Sequence, residues 1–159
     1  MNASPSLQAS PTLQASPTLQ DCNCLAIRQA ARHVSQFYDQ LFAPVGLRAT
    51  QFAILYRLRR DGPMTINALA AALVMDRTTL GRNILPLQRD GLIEIAASPT
   101  DRRRRELCLT SAGAEKLRRA SERWKVAQTR FDAVFGSERA ARLRDLLREV
   151  VASEFAAAE

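Results

Sequence analysis

The sequence predicts a mainly α-helical chain interrupted once by a small β-hairpin. Apolar or small residues recur at 3-4-3-4-3 spacing near both ends. Cys24, Ile27, Ala31, Val34, Tyr38 and Leu41 form one stripe, and Leu117, Ala120, Trp124, Ala127, Phe131 and Val134 the other. Strand composition with alternation occurs in "LIEIA" (Leu92–Ala96) and "ELCLT" (Glu106–Thr110). Cap residues stand where helices should start, at Thr65, Asp76 and Thr110.

The elements follow in order. Residues 1–20 repeat a unit, "SPSLQA", "SPTLQA", "SPTLQ", whose regular prolines forbid a helix and whose side chains cannot build a core. A disordered arm is expected there. Asp21 is read as the cap of a first helix that "APVG" (Ala43–Gly46) stops. Arg48 or Thr50 opens a second helix through "QFAILYRLRR", and "DGP" (Asp61–Pro63) ends it. Thr65 caps a short third helix, "INALAAAL", and Asp76 caps a fourth, "RTTLGRNILPLQRD", which Gly91 ends. Pro86 inside that helix calls for a kink or an early stop. The two strands are then joined by a long basic tip, "ASPTDRRRR". Thr110 caps a long helix that "GSE" (Gly136–Glu138) breaks, and a last helix carries Leu143, Leu146, Leu147, Val150 and Phe155.

Composition narrows the function. The 159 residues are 47% hydrophobic and 25% charged, an ordinary globular balance for one domain or one unit with lobes. No apolar run approaches the ~20 residues that span a bilayer. The N-terminus has no basic segment followed by an apolar one, so no signal peptide or membrane partner is expected, and the cytoplasm is the expected location. Three cysteines and one histidine make neither a disulfide framework nor a zinc set, so no cofactor or metal is expected. Paired carboxylates, a Ser/His/Asp order and a phosphate loop are all missing, which argues against an enzyme. Net charge is +7 and favours an anionic partner. Residues 48–110 hold 11 basic and 6 acidic residues, so the middle of the chain is the anion-facing part.

Two helices joined by a tight turn and followed by a β-hairpin make a winged helix-turn-helix. The helix after Asp76 is then the recognition helix. Arg77, Thr78, Thr79, Arg82 and Asn83 in its first turns can donate to base edges and phosphates in a major groove, and its N-terminal amides favour a phosphate. Thr65 and Asn67, at the start of the preceding helix, join this DNA-facing set. Gly81 costs about 1 kcal/mol of helix propensity relative to alanine, which either a packing need or a close approach to DNA would justify. Arg102, Arg103 and Arg104 belong to the wing tip, where a narrow, negative minor groove attracts arginine. Asp101 is read as an orienter holding Arg103 in one rotamer through a bidentate pair. A solvated basic hairpin without a partner is the bland alternative.

"GLRATQFAILYRL", "GPMTINALAAAL", "MDRTTLGRNILPLQRDGLIE" and "DRRRRELCLTSAG" resemble the MarR family of bacterial transcription regulators, over roughly residues 21–155. Asp101, Arg103, Leu109 and Thr110 meet the family's wing pattern, whose arginine enters the minor groove. The resemblance implies a winged helix-turn-helix DNA-binding lobe plus a helical dimerisation lobe. It places the N-terminal dimerisation helix at 21–47, the DNA-binding lobe at 48–110 and the C-terminal dimerisation helices at 111–159. It also implies a homodimer on a palindromic double-stranded DNA operator, usually acting as a repressor. Gly81 departs from the Ser or Thr common in the family. A non-specific architectural nucleic-acid binder is the alternative of another class.

The resemblance implies an input as well, and two readings stay open. One is a small aromatic acid or phenolic effector, with Arg32, His33, Phe37, Tyr38, Arg48 and Gln51 as candidate ligand residues: a cation plus aromatic walls suits such a molecule. His33 and Tyr38 as dimer-interface residues are the alternative, and Trp124 reads as packing. The other input is oxidation of Cys22 and Cys24. A helix N-terminus favours a thiolate, the form peroxides attack, yet two residues apart on a helix point about 200° from each other, so a disulfide needs a frayed turn. Cys24 as a small buried hydrophobe is the plain alternative. Cys108, in the second strand, reads as structural.

Overall fold

The computed structural model describes residues 18–98, 101 and 103–155. The described residues divide into two compact units, one up to Val34 and one from Ser35 onward. Almost all of the expected arm lies outside the described residues, and its last ones, Leu19 and Gln20, enter a 3-10 turn ending at Asp21. Asp21 therefore does not cap the first helix. Its carboxylate accepts from the Thr18 amide (2.9 Å) and hydroxyl (2.8 Å) and closes the small turn instead. Helix α1 (Asn23–Phe42) starts one residue after Cys22, whose Sγ accepts from the Leu25 amide at 3.5 Å. A 3-10 turn (Ala43–Val45) and Gly46, in the left-handed region at φ 65°, end α1 as the "APVG" stop requires.

Helix α2 (Ala49–Asp61) is capped from a distance: the Ala49 amide donates to the Asp39 carboxylate on α1 at 2.7 Å, and the Arg48 amide to Gln51 Oε1 at 2.9 Å. Helices α3 (Ile66–Ala72) and α4 (Arg77–Arg89) carry the caps the sequence announces. Thr65 Oγ1 accepts from the Ala68 amide at 3.2 Å, and Asp76 from the Thr79 amide at 2.8 Å. Pro86 lies inside α4 and does not stop it early: the helix runs on to Arg89. Gly91 at φ 69° closes it, with the Leu92 amide donating to the Leu87 carbonyl at 2.9 Å and the Gly91 amide to Gln88 at 3.0 Å.

The turn between α3 and α4 is strained. Val74 has φ 52°, in the left-handed region a β-branched residue avoids, and its side chain is exposed. Its amide donates to Ala71 and that of Met75 to Ala70, the pattern that normally ends on glycine. Val74→Gly is therefore expected to raise stability by about 1 kcal/mol, the steric cost outweighing glycine's extra chain entropy. Thermal unfolding checks this, and a lower melting temperature would contradict it.

Strands β1 (Ile93–Ala97) and β2 (Arg105–Leu109) pair antiparallel, Ile93 opposite Leu109 and Ala97 opposite Arg105. Each is shifted by one residue from the sequence expectation, and the Ser98 amide extends the ladder to the Arg104 carbonyl at 2.8 Å. This narrows the tip to residues 99–103. The alternation is weak, since Ile95 is exposed opposite buried Leu107. Met64 exchanges two backbone hydrogen bonds with Leu107 (3.2 and 2.7 Å), tying the hairpin to the segment before α3. Helix α5 (Ser111–Phe135) is capped by Thr110, whose Oγ1 accepts from the Gly113 amide and donates to the Gly91 carbonyl. Helix α6 (Ser137–Ala152) follows Gly136.

The core belongs to the second unit and joins α2, α3, α4, the hairpin and α5. Ile54, Leu55, Leu69, Leu80 and Ala120 are fully buried in it. Each such aliphatic larger than alanine contributes roughly 1.5–3 kcal/mol by leaving water, which fixes α4 and the hairpin in one frame. No described helix is long and apolar enough to cross a membrane, and no cluster of metal-ligating side chains occurs among the described residues.

A candidate nucleic-acid interface and an aromatic cavity

Helix α4 buries Leu80, Ile84 and Leu87 and so turns its opposite face outward. Helical spacing from those anchors puts Thr78, Arg82 and Arg89 on that outer face, and all three are exposed. Arg77 and Thr79 are exposed beside them. One predicted side chain and one backbone amide are committed within the helix. Asn83 Nδ2 donates to the Thr79 carbonyl at 2.9 Å, and the Thr79 amide is taken by Asp76. Hydrogen bonds from Thr79 hold the Asp76 carboxyl below its ordinary range. The α4 N-terminus thus already carries a carboxylate, and its amides are less open to a phosphate than the sequence implied. Thr65 is likewise engaged in capping α3, while Asn67 is exposed.

Gly81 has an ordinary helical backbone, and a Cβ built on it would meet nothing within 4 Å. The packing reason for this glycine falls away.

At the wing, the expected bidentate pair of Asp101 with the Arg103 guanidinium is not formed. Asp101 Oδ1 accepts from the Arg103 backbone amide at 2.9 Å, and its carbonyl accepts from the Arg104 amide, also at 2.9 Å. A carboxylate two residues away reaches the backbone more readily than a long side chain, so Asp101 shapes the turn rather than a rotamer. Arg103 is exposed, and among the described residues no ion pair holds its side chain. Arg104 Nε lies 3.4 Å from Glu106. Arg102 lies outside the described residues.

Arg32 and His33 are exposed on α1, and Phe37 stacks edge-on against Tyr38, ring centres 5.4 Å apart. Arg48 and Gln51 are held at the α2 N-terminus by capping. Of the six, only Tyr38 lines the aromatic cavity of about 400 Å³ in the second unit. Its walls also include Phe42, Phe52, Tyr56, Leu73 and Trp124, and Arg57 and Arg60 line it too. Trp124, expected to be packing alone, lies 18° from parallel to Phe52 at 6.4 Å and stays 40% exposed on the cavity wall. The sequence did hold a signal for this wall: Ala49, Ala53 and Arg57 form one i, i+4 row, and Phe52, Tyr56 and Arg60 a second beside it.

The Tyr38 hydroxyl accepts from Gln128 Nε2 at 2.9 Å. Burial, helped by nearby Asp132, pushes its phenol up, so this wall stays neutral. Asp61 pairs with Arg57 Nε and with Arg60 Nε, the latter at 2.8 Å, and the Arg60 hydrogen bond holds its carboxyl below the ordinary range.

Among the cysteines, Cys24 is exposed and Cys22 half-buried; Cys24 is not the buried hydrophobe its stripe suggested. Cys22 has extended backbone (φ −76°, ψ 107°), so it stands outside the helix that Cys24 belongs to. Burial pushes the Cys108 thiol up, in keeping with a structural role.

A model of the MarR family matches residues 47–104. The transcriptional regulator YwoH of Bacillus subtilis, itself uncharacterised, is 30% identical over 90 residues, covering 57% of this chain and 65% of that protein. The repressor IacR of Pseudomonas putida is 23% identical over 88 residues, covering 55% and 53%. The chain thus spans less than two thirds of the length of both relatives. The crystal structure of Mycobacterium tuberculosis MosR in complex with DNA is 34% identical with a TM-score of 0.70, covering 82% of this chain and 96% of that one.

Proposed function

The chain belongs to the MarR family, and from that premise we propose that it is a sequence-specific DNA-binding transcription regulator. It acts as a homodimeric repressor on a palindromic operator and is released by a small aromatic acid or phenol. The observation that carries this reading is the placement of two arginine-bearing elements on one core. The exposed face of α4, with Thr78 and Arg82 on it and Arg77 beside it, serves the major groove, and the wing tip, with Arg103, serves the adjacent minor groove. Dimerisation is supported by α6, which leaves Leu146, Leu147, Val150 and Val151 uncovered in the single chain. The effector reading rests on the aromatic cavity, to which Tyr38 of the expected ligand residues contributes.

A second reading of the input rests on Cys22. Its extended backbone puts it outside the helix, so the 200° offset from Cys24 does not apply, although its Sγ must first leave the Leu25 amide. A peroxide could then take both thiol protons, leaving a disulfide, an alcohol and water.

The test is fluorescence anisotropy with duplexes flanking the protein's own gene and random duplexes of equal length. A repressor prefers its operator by at least ~10³-fold and binds as two protomers per palindrome. Equal affinity for both duplexes with a steep salt dependence would instead identify a non-specific binder. Release by aromatic acids but not by peroxide selects the cavity, and the reverse selects the thiols.

A further inference from the structure

We propose that Arg57 and Arg60 are the anion-reading element of the aromatic cavity, and that Asp61 is an internal carboxylate which an incoming acid displaces from them. This rests on the reading of the cavity as the effector site. Two arginines line a mostly apolar, aromatic space, and one carboxylate, that of Asp61, is paired with both. The cluster therefore keeps one uncompensated positive charge, which suits a monoanion and disfavours a neutral guest of the same shape.

The Asp61 pairing is also incomplete. Its carboxylate stands against Arg57 Nε, yet that buried N–H makes no aligned hydrogen bond. Asp61 Oδ1 is better placed, at 2.8 Å from Arg60 Nε. An acid that displaces Asp61 offers the Arg57 Nε, now buried beside that carboxylate, a new partner. The exchange takes place at the end of α2, three residues before Met64, whose backbone holds β2 at Leu107. An effector bound here acts on the segment that anchors the wing.

Trp124 is the chain's sole tryptophan and lines the cavity, so its emission reports occupancy. The probes are 4-nitrobenzoate and its neutral isostere 4-nitrobenzamide, each titrated into the dimeric full-length protein. The acid is expected to quench saturably, with at least ~10-fold tighter binding than the amide. In the R57Q/R60Q variant the two should bind alike, with the amide unchanged, which also shows that the variant is folded. Asp61→Asn should tighten acid binding several-fold and leave the amide alone. An acid-to-amide ratio that survives R57Q/R60Q would overturn this proposal while keeping the cavity as a site, as would an Asp61→Asn variant with wild-type acid affinity. Failure of both probes to quench would remove the cavity reading itself, and this proposal with it.

Discussion

Gly113→Ala lowers stability by about 2 kcal/mol or more, whereas Gly81→Ala raises it by up to about 1 kcal/mol. The two glycines lie in helices, and the same methyl group is added at both. At Gly81 the new Cβ enters open space, so only helix propensity changes, in alanine's favour. At Gly113 it falls on the Leu92 carbonyl oxygen, with Leu109 Cδ1 at 2.8 Å and the Leu92 carbonyl carbon at 2.9 Å. That carbonyl cannot step aside cheaply, because it accepts from the Thr110 amide at 3.2 Å. Nor can α5 withdraw, since Thr110 binds Gly113 with one lone pair and donates its proton to Gly91. Overpacking of this kind costs roughly 1–3 kcal/mol or more and exceeds the propensity gain. Urea unfolding of the three proteins measures both effects. A Gly113→Ala protein as stable as the parent would show that α5 is not in backbone contact with the start of the wing. If Gly81 is bare to admit DNA, its alanine variant will also be the more stable protein and the weaker operator binder.

What could be read from sequence divides by range. Thr65, Asp76 and Thr110 were legible because a cap bonds an amide three residues on, and the spacing is visible in the chain. Gly91 was legible for the same reason. Asp39 was not, since it caps α2 from ten residues away and only tertiary packing brings it there. Asp21 was misassigned because a second, smaller turn competed for its carboxylate. The hairpin was found but displaced by one residue, as alternation is a poor guide where only Ile93 and Leu107 are buried. The arginines of α4 and the wing stood out as a local excess of charge. The cavity did not: its walls come from α1, α2, the end of α3 and α5, and Arg57 and Arg60 looked like ordinary basic residues at the end of a helix. Cys22 and Cys24 were noticed from their spacing, but which of them belongs to the helix depended on where α1 begins.

On the DNA-binding reading, Arg82→Ala and Arg103→Ala each cost at least about 1 kcal/mol per half-site, the scale of one good base contact. A homodimer carries each substitution twice, so operator affinity falls by about 30-fold or more. Affinity for random DNA should fall much less, since phosphate contacts elsewhere remain. The wing arginines should not behave alike. Arg104 has Glu106 beside it, and removing its side chain releases a carboxylate as well as a cation. Arg103 has no such competitor among the described residues, and its backbone is already set by Asp101. Arg103→Ala should therefore hurt more than Arg104→Ala. Asp101→Ala should fall between them, because it leaves the guanidinium in place but frees the turn that presents it. This ordering separates a wing that enters a groove from a merely basic hairpin, for which every arginine removed would cost about the same and the loss of Asp101 would strengthen binding. Anisotropy at fixed salt with operator and random duplexes gives all four ratios, and a uniform loss across the arginines would place the wing outside the groove.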